Sequence, residues 1–439
     1  MKKQSDNKFF SALYDMRKYL MLWATQAFSG LGSGMTAYAI VIWVYEQSGS
    51  ALSTAGMMIA SYTPYILCSI FAGALSDRWN KKRIMLVCDL LAAMTTIIMM
   101  LLMYTNRLQL WHLYLLNALN GLMNTFQQPA SEVATTALLP REHYQRVGGL
   151  RYLSSALNGI LKPILAMAVM GLWGIDAIFL FDLFTFAVAF VVLWLLIDIP
   201  QPDTQHTRRE SLGQSVAEGL RWLKQNPAVL HMMLFLAAIN LVASMYEAAF
   251  PAMMLSRAGG GEKAMGLVNA VIGGATLAGS LWASVAKAPR SRVRVVCNTL
   301  LFSMATENII LALGRSTPVW CLGGFLGWIA IPLMNANLDV LMRTNIPVEK
   351  QGRVFAARNS LQFFTIPVGY FLGGMLVDKV FEPLMAQQGT TGVLTMFFGS
   401  GKGSGAACFF AFIWLIGLSI PLMFRFDRHI WDLEKEEMR

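Results

Sequence analysis

Charged residues are scarce in this sequence: Asp, Glu, Lys and Arg make up 14% of its 439 residues, against about 25% in a soluble domain. A chain surrounded by water on all sides is excluded by that shortage. No G-x-x-x-x-G-K-S/T loop is present, so the chain has no phosphate cradle with which to hydrolyse ATP. The stretch from Gly399 to Ser404 looks superficially similar but lacks the spacing. An H-E-x-x-H helix, a nucleophile elbow and a metal-ligand cluster are also missing. The five histidines are scattered, and neither enzyme chemistry, a metal nor a cofactor is expected. Cys68, Cys88, Cys297, Cys321 and Cys408 are odd in number and lie in or at the ends of apolar runs, which predicts free thiols without a disulfide framework. Residues 1–18 are polar and basic, with no short apolar core and cleavage site, so no cleavable leader is expected.

Apolar residues are abundant, at 56%. They fall in runs that approach or exceed the roughly 20 residues a bilayer crossing needs. Six spans are predicted near 19–44, 52–75, 84–104, 110–130, 149–172 and 175–197. Six more follow near 229–255, 265–287, 294–314, 317–342, 355–378 and 405–425. The expected fold is an all-α membrane protein of twelve transmembrane helices. Its net charge of +10 does not point to nucleic acid, because the basic residues occupy short loops between apolar runs. With both termini on the cytoplasmic side, 28 of the 35 Lys and Arg residues fall inside, six fall outside, and Lys162 lies within a span. That asymmetry is the one that sets membrane orientation.

The chain repeats itself. P-x-E-x-x-x-R-V begins at Pro140, after the fourth span, and again at Pro347, after the tenth, 207 residues later. Each copy leads into a span with an internal proline, Pro163 or Pro367. Two six-helix halves in the same orientation are therefore expected, residues 1–197 and 229–439, the second carrying a cytoplasmic tail. Such an architecture carries substrate between its halves. The segment 198–228 is the expected cytoplasmic linker. Within it Leu212, Val216, Leu220 and Leu223 recur at helical spacing, which predicts an amphipathic helix on the membrane face or a solvated one.

Between the second and third spans runs GALSDRWNKKR, residues 73–83. Gly73 would let two helices approach, Asp77 can cap a helix or pair with a cation, and the basic run anchors the loop at anionic headgroups. Gly73, Asp77, Arg78, Lys81 and Arg83, with Asp89, form a candidate conformational latch. Asp89 and Asp339 are expected to group with Arg78 and Arg343. The loop resembles the signature G-x-L-x-D-R-x-G-R-K/R of the major facilitator superfamily, with Asn80 at the usual glycine and Lys81 at an arginine. Asparagine tolerates a left-handed backbone better than most residues. The second half keeps basic charge there but has Ser284 where a copy of Asp77 would stand. WATQAFSGLGSG in span one, EGLRWLKQN before span seven and GRVFA entering span eleven extend the resemblance to the drug-exporter branch that includes macrolide efflux proteins. The resemblance implies proton-coupled export of amphiphilic small molecules. Against it, span five keeps only Pro163 of the antiporter pattern G-x-x-x-G-P-x-x-G-G.

Charges inside a membrane are costly, and each is a candidate functional group. Lys162 and Asp182 lie at depths that differ by a few ångströms at ~1.5 Å per residue. They are expected to pair or to face one cavity, the plain alternative being a static ion pair. Glu307, near the middle of span nine, is the first candidate for proton coupling, or else a neutral acid bonded to backbone. Asp182 and then Glu247 follow, with reach to the outer interface as the alternative for Glu247. Gln26, Asn240 and Asn335 are candidate cavity residues, with helix-to-helix hydrogen bonding as the alternative. The expected partners are an amphiphilic small molecule, protons and membrane lipids, with no nucleic acid, and the chain is expected to be monomeric. Export or flipping of a lipid, siderophore or peptide is the second reading of the same fold. A scaffold would have no need of Glu307.

Overall fold

The computed structural model describes residues 16–138, 144–200, 212–347, 354, 363–388 and 392–434. Within these, the backbone alone is described at 69–78, 136, 144–153, 156 and 212–217. Every regular element among the described residues is a helix. The first four are α1 (Arg17–Ser48), α2 (Ala51–Arg78), α3 (Lys81–Tyr104) and α4 (Leu110–Ala137). The next, α5 (Tyr144–Leu196), contains two predicted spans. Gly174 divides them at φ 79, a left-handed conformation that glycine adopts without a Cβ clash. The linker forms α6 (Leu212–Gln225), where Leu223 is buried and Leu220 is exposed.

Three long helices follow: α7 (Pro227–Ser256), α8 (Glu262–Val285) and α9 (Arg292–Leu313). The predicted tenth span is a single candidate crossing, Thr317–Asn345, with a kink. It is α10 (Thr317–Trp328) and α11 (Ile331–Asn345), with a turn at 329–330. The cause is Pro332, which has no N–H to continue the hydrogen-bond ladder. The eleventh is described from residue 363 and comprises α12 (Thr365–Leu376), a π-helical turn (Val377–Phe381) and α13 (Glu382–Gln388). A short α14 (Val393–Phe398), the long α15 (Ser404–Arg425) and a short α16 (Arg428–Asp432) are the last of the described helices. Eight of the described helical segments are long and apolar enough to cross a membrane.

The chain divides into two compact units. One comprises Met1–Ile40 with Ala60–Arg209, and the other Val41–Ile59 with Glu210–Arg439. Residues 41–59 group with the second unit. In the first unit Leu22, Ile84, Cys88, Ala130 and Leu193 close a core among α1, α3, α4 and α5. A Cβ at Gly121 would stand 2.0 Å from the Ser61 carbonyl oxygen, so α4 and α2 touch backbone to backbone there. In the second unit α7 packs on α12 and α15, and α9 packs on α10, α11 and α15.

Candidate functional site

Glu307 is 5% exposed, on the face of α9 that meets α10. Two consecutive residues of α10 shape its surroundings. Trp328 donates its indole N–H to Oε1 at 3.0 Å. Gly327 leaves the space that the other oxygen fills, since a Cβ there would lie 2.4 Å from Oε2. One turn earlier, Gly323 faces Ile310 and the Glu307 carbonyl, which brings α10 close enough for this fit. Tyr246 of α7 is within electrostatic reach of the carboxyl, although its buried hydroxyl makes no hydrogen bond of normal geometry. Among the described residues no ion pair to Glu307 is present. The carboxyl is thus held by one neutral donor, immediately before the turn at 329–330. A group in that setting can exchange its proton without first breaking a salt bridge.

Asp182 is the corresponding buried acid of the first unit, 1% exposed on α5. It accepts from the hydroxyls of Ser33 at 3.1 Å, Thr36 at 3.0 Å and Thr96 at 3.2 Å. Gly32 makes room for Asp182, and Gly34 lies against the aliphatic stem of Lys162. The two intramembrane charges therefore lean on the same stretch of α1. The three hydroxyl partners escape sequence reading, because Ser and Thr within spans commonly bond to their own helix.

Glu247, the third candidate, is exposed on α7, and its Oε2 accepts the Tyr370 hydroxyl at 2.6 Å. Gln26 donates to Asp89 at 3.4 Å, as does Gln127 at 2.5 Å. Asp89 is 4% exposed, so the structure places it in a buried amide cluster of α1, α3 and α4. Its expected partner Arg78, with Gly73 and Asp77, has a side chain outside the described residues. The side chains of both P-x-E-x-x-x-R-V copies lie there too, apart from Pro347 and Val354. Lys81 is buried, with Nζ on the Trp79 carbonyl at 3.2 Å, and Arg83 is exposed. Asn80 is not left-handed: at φ −65 it N-caps α3, accepting from the Arg83 N–H at 3.1 Å. Asn240 is half-buried, while Asn335 and Asp339 are exposed. The buried amide of α11 is Asn337, which takes a hydrogen bond from Arg292 at 3.1 Å. His231 and His429, scattered in sequence, meet at Asp427.

The model of the Major Facilitator Superfamily matches residues 22–370. Macrolide efflux protein A of Streptococcus pyogenes is 22% identical over 367 residues, covering 83% of this chain and 90% of that protein. The multidrug efflux pump Tap of Mycolicibacterium fortuitum is 25% identical over 360 residues, covering 80% and 87%. Among solved structures, a variant of the nucleoside transporter NupG aligns at TM-score 0.65 and 12% identity, covering 93% of this chain and 100% of the other. A bacterial homolog of the human lysosomal transporter Spinster aligns at TM-score 0.63 and 14% identity, covering 97% and 98%. At such identities the likeness is one of fold.

Proposed function

The chain belongs to the Major Facilitator Superfamily, and from that premise we propose that it exports amphiphilic small molecules by proton antiport, with Glu307 as the proton carrier. Membership makes it a multi-pass membrane transporter, and efflux proteins are among its relatives. One observation carries the assignment of the carrier: a buried carboxyl with a single indole donor, seated on a glycine beside the proline kink of a spanning helix. A proline kink leaves a carbonyl without its N–H partner and gives the helix a point at which to bend. In the proposed cycle Glu307 takes a proton from the outer side. The neutral acid stays on Trp328 while the site turns inward. Arrival of substrate then drives the proton off to the cytoplasm, and the loaded transporter returns. Both termini are cytoplasmic in this reading, and the working unit is a monomer.

Proton flux tests the proposal. The protein is reconstituted in liposomes with an internal pH dye, a pH gradient is imposed, and macrolides and cationic dyes are added. Substrate-triggered proton movement is expected in the unaltered protein. It should vanish in Glu307→Gln, which keeps shape and a hydrogen-bond acceptor but cannot titrate. Movement that persists in Glu307→Gln and fails in Asp182→Asn would move the carrier to the first unit. Silence with every compound would sink the multidrug reading, and lipids, siderophores or peptides would be tried next.

A further inference from the structure

Two helix ends of the second unit bring three metal-ligating side chains to one point. His231 stands in the second turn of α7, and Asp427 and His429 flank the start of α16. The His231 Nδ1 lies 2.5 Å from Asp427 Oδ2, and the two imidazole rings are 4.5 Å apart between centroids. One ligand atom from each residue lies within 4.8 Å of the others. We propose that these three residues form a binding site for a divalent transition metal of the zinc class, with two imidazole nitrogens, one carboxylate oxygen and a fourth position open to water.

The donor set suits that class. Two His and one carboxylate is a recognised zinc combination, with metal–ligand distances of about 2.0–2.2 Å. Tetrahedral ligands at those distances stand about 3.3 Å apart. The present spacings, from 2.5 Å up to 4.8 Å, bracket that value, so a shift of up to about 1.5 Å would close the site. The exposed His429 ring is free to make much of it by side-chain rotation. Asp427 is already oriented. Its Oδ1 caps α16 by accepting the His429 N–H at 3.0 Å, which turns Oδ2 toward the imidazoles. Fixing a ligating carboxylate through its other oxygen is the usual way such groups are held.

The segment that carries two of the ligands is firmly seated. Ile430 and Leu433 are 0% and 1% exposed, and the Trp431 indole donates to the Arg425 carbonyl at 2.9 Å. Asn345 of α11 donates to the Leu433 carbonyl at 3.0 Å. Glu434 accepts from the Val293 N–H at 2.8 Å and the Ser291 hydroxyl at 2.9 Å, at the start of α9. Residues 427–434 thus strap α7, α9 and α11 together, and a metal would lock the α7 end. Two nearby cations oppose a cationic ligand. Arg425 is turned to Asn298 at 3.2 Å, and Arg428 is exposed to solvent. Asp427 supplies the compensating negative charge.

The test uses full-length protein in detergent, without a polyhistidine tag, stripped with EDTA and dialysed. Added Zn2+ should bind at one ion per chain and raise the unfolding temperature, since an ion held only by the folded state stabilises it. Co2+ should give the strong visible absorption of a tetrahedral site. His429→Ala removes an exposed ligand and should weaken binding at least as much as loss of an outer-sphere partner does, about 10–100-fold. The double variant His231→Ala/His429→Ala should abolish the absorption. Unfolding of the metal-free variants at the temperature of the metal-free parent confirms that they are folded; a variant that fails this check is replaced by His429→Gln. Failure of the stripped parent to bind either ion, or equal affinity in parent and variants, overturns the proposal.

Discussion

A single methyl group at residue 327 would stand 2.4 Å from a Glu307 carboxyl oxygen, closer than non-bonded atoms can sit. Gly327→Ala must therefore push the carboxyl off its seat, and substrate-triggered proton flux should fall to near background. Trp328→Phe is the gentler probe, because it keeps the ring and removes the N–H. A hydrogen bond to a charged partner is worth about 1.5–3 kcal/mol, so coupled flux should drop roughly tenfold or more. Normal flux in both variants, measured with the liposome assay, would separate Glu307 from the coupling step. Glu307 itself is readable in the sequence as an acid inside an apolar run. Its partners are not, because Trp328 lies 21 residues away across a loop. The register of one helix against its neighbour is set by packing rather than by any local pattern. The same limit hid Ser33, Thr36 and Thr96 around Asp182. It hid the meeting of His231 with His429 as well, since 198 residues of chain separate them.

At the scale of the element, hydropathy reveals where helices run but not how they end. The apolar pattern continues through 317–342, so the kink at 329–330 is visible only in the chemistry of Pro332. Asn80 invites a sharper test. Its family position is a glycine, which suggests a left-handed turn, yet it caps α3 with ordinary φ. Asn80→Ala should then cost ~1 kcal/mol and Asn80→Gly only a few tenths, read as lowered unfolding temperatures in detergent. A Gly variant more stable than the parent would restore the left-handed account. A second capping site has no counterpart in the sequence reading. From the π-helical turn, Asp378 accepts the Ala51 N–H at 3.0 Å, the Leu52 N–H at 2.9 Å and the Ser50 hydroxyl at 2.6 Å. Gly374, one turn earlier, lets α12 reach the first turn of α2, since a Cβ there would meet the Leu52 Cα at 2.7 Å. Asp378→Ala leaves three donors without this acceptor. It should destabilise the second unit by about 1–2 kcal/mol, and Asp378→Asn should restore part of that. Unchanged thermal unfolding of Asp378→Ala would count against the cap.

For the whole molecule, the strongest sequence signal is the placement of basic residues, 28 on one expected side and six on the other. Orientation follows from that asymmetry and from the physics behind it. Lys and Arg resist translocation, and short loops carry the bias most faithfully. Two exposed lysines make the expectation measurable. Lys287 follows α8, in a segment assigned to the cytoplasm, and Lys402 precedes α15, in a segment assigned outside. The five native thiols, three of them buried and two partly so, are first replaced. A single cysteine at 402 should then react with a membrane-impermeant maleimide in intact cells. One at 287 should react only after the cells are opened. The reverse pattern would turn the chain over, and with it the side from which Glu307 is proposed to load its proton. Reaction of both in intact cells would put two ends separated by three predicted spans on the same face. An even number of crossings between them would follow, against the twelve-helix count. The experiment therefore tests orientation and span number together, using loops that play no part in the proposed chemistry.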